Sequence, residues 1–69
     1  MAGWRRINAS ARWHFWRPYA ENELLLAPVC KREMFLKRGT SLRTKDELPE
    51  GAKLCRGCSG SPELRFIAA

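Results

Sequence analysis

The sequence predicts a small metal-stapled domain of short antiparallel β-strands with little helix, of the zinc-ribbon or knuckle type. Three observations predict this fold class. The chain has 69 residues, and a core of that size is marginal without disulfides, a metal or a partner. Its apolar stretches are short and alternate with basic loops. Its three cysteines and single histidine make up one of the common sets of four zinc ligands, with none left over.

The first strand is indicated by residues 11–15, which alternate between apolar and polar side chains. A period of two is typical of a strand with one face on the core. We therefore expect Trp13 and Phe15 to lie in the core. His14 should lie on the opposite face, which Trp16 continues.

Pro18 should end this strand or place it at a sheet edge, because proline cannot donate to a ladder. Two further short apolar segments follow, at residues 24–30 and 34–36. Thr44 and Glu47 have the spacing of a capping box, which predicts a one-turn helix. We expect a basic and mobile N-terminal arm over 1–12, the zinc-stapled domain over 13–58, and a tail or an extra strand over 59–69.

The four soft ligands are spread along the chain. His14 and Cys30 occur singly, whereas Cys55 and Cys58 form a Cys-x-x-Cys pair, the spacing at which a tight turn aims two sulfurs at one point. We expect Gly57 to supply a positive φ within that turn. The sequence therefore predicts one structural zinc ion held by His14, Cys30, Cys55 and Cys58.

Other uses of the same residues stay open at this point. An iron–sulfur centre would use the same four ligands, and Cys55 and Cys58 alone would suit a redox dithiol. If His14 is an ordinary surface residue, Asp46, Glu47 or water would have to complete the metal shell.

The ligand order resembles that of very small zinc-binding proteins of actinobacteria and their phages. The resemblance is carried by residues 13–15, 24–30 and 54–58: a His early in the chain, a Leu-rich strand ending in a single Cys, and a late Cys-x-x-Cys. It implies zinc coordination by the same four residues but assigns no activity. Lys31 departs from the glycine expected after the first ligating cysteine.

Charge points to an anionic partner. Lysine and arginine number 13 against 7 acidic residues, a formal net charge of +6. Basic side chains gain affinity for nucleic acid by releasing condensed counterions, and interleaved aromatic rings can stack on unpaired bases. We therefore predict a binding or regulatory protein that contacts nucleic acid non-specifically or semi-specifically. The predicted contact residues are Arg5, Arg6, Arg12, Trp16, Arg17, Lys31, Arg32, Lys37, Arg38, Arg43 and Lys45.

The alternative is a protein-interaction module that docks on an acidic surface of a larger enzyme, such as a polymerase or nuclease. An enzyme is not expected, because the single histidine is used on the metal, and the glutamate and proline of the zinc deaminase signature are replaced by Trp16 and Leu54. A small-molecule substrate and a membrane partner are not expected either. With an odd number of cysteines and no apolar run of membrane-spanning length, we expect a reducing, cytoplasmic location.

Overall fold

The sheet is the main element of the fold. A computed structural model describes residues 2–64 and contains four antiparallel strands in the order β1-β2-β3-β4. They are β1 (Gly3–Arg5), β2 (His14–Tyr19), β3 (Asn22–Pro28) and β4 (Leu36–Lys37). The strands curl into a half-barrel with little helix around it, which confirms the predicted fold class.

The hairpin of β2 and β3 forms the centre of the sheet and explains how a proline fits there. Pro18 pairs with Leu26 of β3, and the register shifts between Pro18 and Tyr19. On the other side of β2, the pairing with β1 extends only to Trp16. Pro18 therefore lies past the end of β1, at a local sheet edge. Its backbone nitrogen has no strand to pair with on that side, so the missing N–H costs no hydrogen bond of the sheet.

The core lies against one face of this sheet. Trp4, Trp13, Phe15 and Val29 are buried there together with Cys55 and Cys58. The rings of Trp4 and Phe15 meet edge to face, 5.2 Å apart, a favourable geometry for an aromatic pair. Trp13 and Phe15 are thus core residues, as the alternating pattern predicted.

Two backbone bridges attach the second half of the chain to the sheet. Trp13 pairs in parallel with Leu54, through hydrogen bonds from Trp13 N–H to the Lys53 carbonyl and from Cys55 N–H to the Trp13 carbonyl, both 2.8 Å. Trp4 pairs with Arg43 by two similar bonds. The parallel bridge fixes the backbone at Cys55 beside the start of β2.

Helical structure within residues 2–64 consists of short turns, including residues 62–64. A 3₁₀ turn spans Lys45–Glu47 and carries the predicted capping box between Thr44 and Glu47. The helix α1 spans Arg56–Ser59 and begins after Cys55, so the tight turn expected between Cys55 and Cys58 is a helical turn. No helix within residues 2–64 is long and apolar enough to cross a bilayer.

The ends of the chain differ from the expected organisation in one respect. Part of the predicted N-terminal arm is the strand β1, whose Trp4 is only 4% exposed. Because the Trp4 ring is buried in the core and β1 pairs with β2, residues 3–5 are part of the sheet and not a free arm. Of the predicted tail or extra strand over 59–69, residues 59–64 are described and contain no strand, and the rest lies outside the described residues.

Candidate metal centre

Four separate backbone features bring the predicted ligands together. His14 opens β2, and Cys30 follows β3, where the N–H of Val29 donates to the Phe15 carbonyl. Cys55 precedes α1 and Cys58 lies within it. The four residues form a group that could hold a metal ion, since their ligand atoms all lie within 4.8 Å of one another.

The distances within the group suit one tetrahedral ion. The Nδ1 atom of His14 lies 3.6 Å from the Sγ of Cys30 and 3.6 Å from the Sγ of Cys58. Bonds of about 2.05 Å to nitrogen and about 2.3 Å to sulfur, at a tetrahedral angle, put the two ligand atoms about 3.6 Å apart. A single Nδ1 lone pair cannot point at both sulfurs, so two equal separations fit a shared ion better than two hydrogen bonds.

Backbone N–H groups surround the sulfurs. Those of Cys58 and Gly57 act to lower the pKa of Cys55, and those of Phe15 and Cys30 act in the same direction on the pKa of Cys58. Hydrogen bonds from backbone N–H groups stabilise thiolates and orient metal ligands. At Cys55 these groups favour the deprotonated, metal-binding form, whereas at Cys58 burial outweighs them.

The titration of the ligands reflects this environment. Burial raises the pKa of Cys55, but the backbone and thiol hydrogen bonds outweigh it and lower that pKa overall. Burial raises the pKa of Cys58 to about 12, a cost that a coordinated cation removes because it deprotonates the thiol outright. Burial, and then the charge of Arg32, lower the pKa of His14 and keep its imidazole neutral, as ligation requires.

Most of the centre is buried. Cys58 is fully buried, Cys55 is 4% exposed and His14 is 6% exposed, while Cys30 is half-buried. Trp16 packs edge-on against His14 with ring centroids 6.1 Å apart. Four protein ligands and a closed shell are typical of structural zinc sites, whereas catalytic sites keep an open position.

Two residues beside the ligands have special backbone or space requirements. Gly57 does not have a positive φ, contrary to the expectation; instead, a Cβ there would lie 2.8 Å from the Cβ of Cys30. The left-handed residue is Lys31, with φ of 63°. The turn after Cys30 thus has the conformation for which glycine was expected, and a lysine adopts it.

The predicted contact surface is largely on the outside of the molecule. Nine of the eleven predicted residues are exposed: Arg5, Arg6, Arg12, Lys31, Arg32, Lys37, Arg38, Arg43 and Lys45. The prediction is wrong for Trp16, whose exposure is 0% and whose Nε1–H donates to the Arg5 carbonyl at 3.0 Å. Arg17 is half-buried and its Nε donates to Glu63 at 2.6 Å, so its charge is already partnered.

Several of these cations converge on one cleft, which we call the arginine cleft. It consists of two adjoining cavities of about 650 and 470 Å³ that share Arg6, Trp13 and Pro49. The guanidinium groups of Arg6 and Arg43 stack on the Trp13 ring, 5.2 and 5.9 Å from its centroid. The cations lining the cleft are Arg5, Arg6, Arg12, Arg43 and Lys53, and among the described residues only Glu50 adds an acidic group to the lining.

Sequence reasoning missed an exposed aromatic pair. The rings of Tyr19 and Phe35 lie 5.0 Å apart, and Phe35 is 46% exposed. Both line a groove of about 320 Å³ together with Lys31 and Arg32. The available signal was the position of Phe35 in a short apolar segment between two basic pairs, in contrast to Trp13 and Trp16, which are buried.

Comparisons with protein-family models, with curated proteins and with solved structures find no match to this chain. The resemblance to small actinobacterial and phage proteins therefore stays a prediction.

Proposed function

We propose that the chain is a structural zinc protein that holds a cationic surface in shape for binding nucleic acid. The zinc assignment is supported by the donor set. Three thiolates and one imidazole within 4.8 Å of one another fit the tetrahedral preference of zinc for sulfur and nitrogen. An iron–sulfur cluster divides its ligands among several irons and would need them farther apart, and a Cys55–Cys58 dithiol would leave the convergence of His14 and Cys30 unexplained.

Native mass spectrometry with and without a chelator tests the metal assignment. We expect one zinc ion per chain, and loss of dispersed amide NMR signals when the ion is removed, because the small core contributes only ~3–5 kcal/mol while structural zinc contributes ~10–16 kcal/mol. Restored dispersion on adding zinc completes the expected result. A metal-free chain that stays well folded, or a mass that indicates several irons, would contradict the proposal.

The observation that supports nucleic-acid binding is the arginine cleft. Five cations face one acid there, and the stacking of Arg6 and Arg43 on Trp13 holds two guanidinium groups in place before a ligand arrives. Arginine presents a rigid fork of donors that matches phosphate oxygens. Little entropy is then lost when a phosphate binds, so the cleft suits a polyphosphate backbone.

Binding to a labelled random oligonucleotide across a salt titration tests this role. The logarithm of the binding constant should fall linearly with the logarithm of the salt concentration, because each neutralised phosphate releases counterions. Arg12 is exposed and lines the cleft, so Arg12→Gln should weaken binding and reduce the salt slope by about 0.7 to 0.9.

The matched control is Arg56→Gln. Arg56 is also exposed and its replacement removes the same charge, but it does not line the cleft. Equal losses for the two variants would show only a general charge effect and would refute the cleft. Failure of the wild-type protein to bind nucleic acid, with binding to an acidic protein instead, would favour the interaction-module alternative.

A further inference from the structure

We propose that the groove around Tyr19 and Phe35, which we call the aromatic groove, stacks an unpaired base, so that the protein prefers single-stranded nucleic acid. This inference rests on the proposed nucleic-acid binding and adds the class of ligand. The groove supplies the group that the arginine cleft lacks: an exposed aromatic surface beside free cations.

The construction of the groove suits a flat ring. Ala27 and Pro28 of β3, both small and buried, form its floor, while the rings of Tyr19 and Phe35 border it. The hydroxyl of Tyr19 donates to a carboxylate oxygen of Glu21 at 3.0 Å, which holds that ring in orientation. A cavity of about 320 Å³ is at the small end of the ligand-site range of about 300–1,000 Å³.

Cations lie on one side of the groove, while the acids near it are Glu33 in the lining and Glu21 on the Tyr19 hydroxyl. Lys31 and Arg32 line it and are exposed. Glu33 is the acidic group of the described lining, while Arg17 contributes a cation already paired with Glu63. A nucleotide is the ligand class that combines a flat apolar face with an adjacent negative charge, and aromatic rings stack on bases of any sequence.

Shared arginines link the aromatic groove to the arginine cleft by way of a third cavity. Arg12 lines both the cleft and a third cavity of about 340 Å³, and Arg32 lines both that cavity and the aromatic groove. The third cavity runs past His14, so the metal centre lies under the middle of this path. A single strand can follow such a path with its phosphates near arginine and one base in the groove, whereas a duplex keeps its bases stacked inside and away from the rings.

The test compares Phe35→Leu with Phe35→Trp, using a single strand of about 12 nucleotides, the matching duplex, and an abasic single strand of the same length. Wild type should bind the normal single strand most tightly. Phe35→Leu keeps an apolar side chain but loses the ring, so its affinity for that strand should fall about 5- to 100-fold, to the level of the abasic strand. Phe35→Trp should retain or exceed wild-type affinity.

Leu24→Ala is the matched control, because Leu24 is 73% exposed but does not line the groove. It should bind like wild type, and all variants should keep their zinc content and salt slope. Equal wild-type affinity for normal and abasic strands, or an unchanged Phe35→Leu, would overturn base stacking while leaving phosphate binding intact. Wild type that binds no strand at any salt would overturn the proposed function itself, a different and recognisable result.

Discussion

Gly57 lies between the two cysteines of the C-terminal pair and leaves no room for a side chain. A Cβ at this position would lie 2.8 Å from the Cβ of Cys30, where ordinary contact begins at 3.4 Å. Gly57→Ala must therefore separate α1 from the Cys30 turn by the difference, about 0.6 Å. Metal ligands tolerate displacements of only about 0.2 Å, so the change should disturb the centre directly.

The expected result of Gly57→Ala is loss of both zinc affinity and stability. Forced overpacking costs ~1–3 kcal/mol, and distorted ligation should lower zinc affinity by about tenfold or more, the scale of metal-site perturbations. Helix propensity alone predicts the opposite sign, because alanine is better than glycine inside a helix by ~1 kcal/mol. The direction of the change therefore separates the steric explanation from the conformational one.

Competition with a chromogenic chelator measures the zinc affinity, and thermal unfolding of the zinc-loaded protein measures the stability. Arg56→Ala is the control: Arg56 is exposed in the same turn and should change stability by less than about 0.5 kcal/mol. If Gly57→Ala held zinc as tightly as wild type and melted at the same or a higher temperature, the steric reasoning would be refuted.

Three further predictions concern the ligands and their turn. Cys55→Ser removes a thiolate that two backbone N–H groups support, so dispersed amide NMR signals should disappear; a folded variant would contradict this. Burial lowers the pKa of His14 from 6.5, so His14 is protonated at a higher pH in the unfolded chain than in the folded one, and stability should decline as pH falls below 6.5. An acid titration followed by tryptophan fluorescence measures this decline. An unfolding midpoint that is the same with and without zinc would contradict the prediction. Lys31→Gly relieves ~1–2 kcal/mol of strain from the left-handed backbone but costs ~0.5–1 kcal/mol because glycine loses more backbone entropy on folding. The melting temperature of the zinc-loaded protein should therefore stay the same or rise slightly. Lys31→Val should lower it.

The identity of the metal-ligand group could be predicted because soft donors are scarce in this chain. Three cysteines and one histidine make one tetrahedral set, so counting alone selected the residues that the fold brings together. The binding nitrogen of His14 and the N–H groups around Cys58 could not be predicted, because they depend on how β2, the Cys30 turn and α1 meet in space.

The two backbone expectations show a different limit. A special residue was expected after Cys30 and between Cys55 and Cys58, and both positions are indeed unusual, but the expected conformational reason applies only at the first. The positive φ occurs at Lys31, whereas Gly57 is needed for space against Cys30. Local spacing indicates a tight turn, but only tertiary contact determines which constraint applies at each position.

Trp16 shows why surface residues were harder to predict than core residues. Alternation along β2 placed it correctly on the face of His14, and that face was taken to be solvated. The structure buries both faces of this part of β2, and on the second one Cys30 and Cys58 approach His14. Alternation separates two faces but does not show whether the outer one is covered.

The spacing of the ligands along the chain also governs when the centre can form. Cys58 lies 44 residues after His14, and a ribosome adds about 5–20 residues per second. The emerging polypeptide therefore spends about 2 to 9 seconds with His14 made but the shell incomplete. For about 1 to 6 seconds of that time Cys30 is made as well, since Cys58 follows it by 28 residues. During that interval the Cys30 thiol is open to oxidants, so the cell's supply of reducing agents and free zinc during translation should limit the yield of correctly assembled protein.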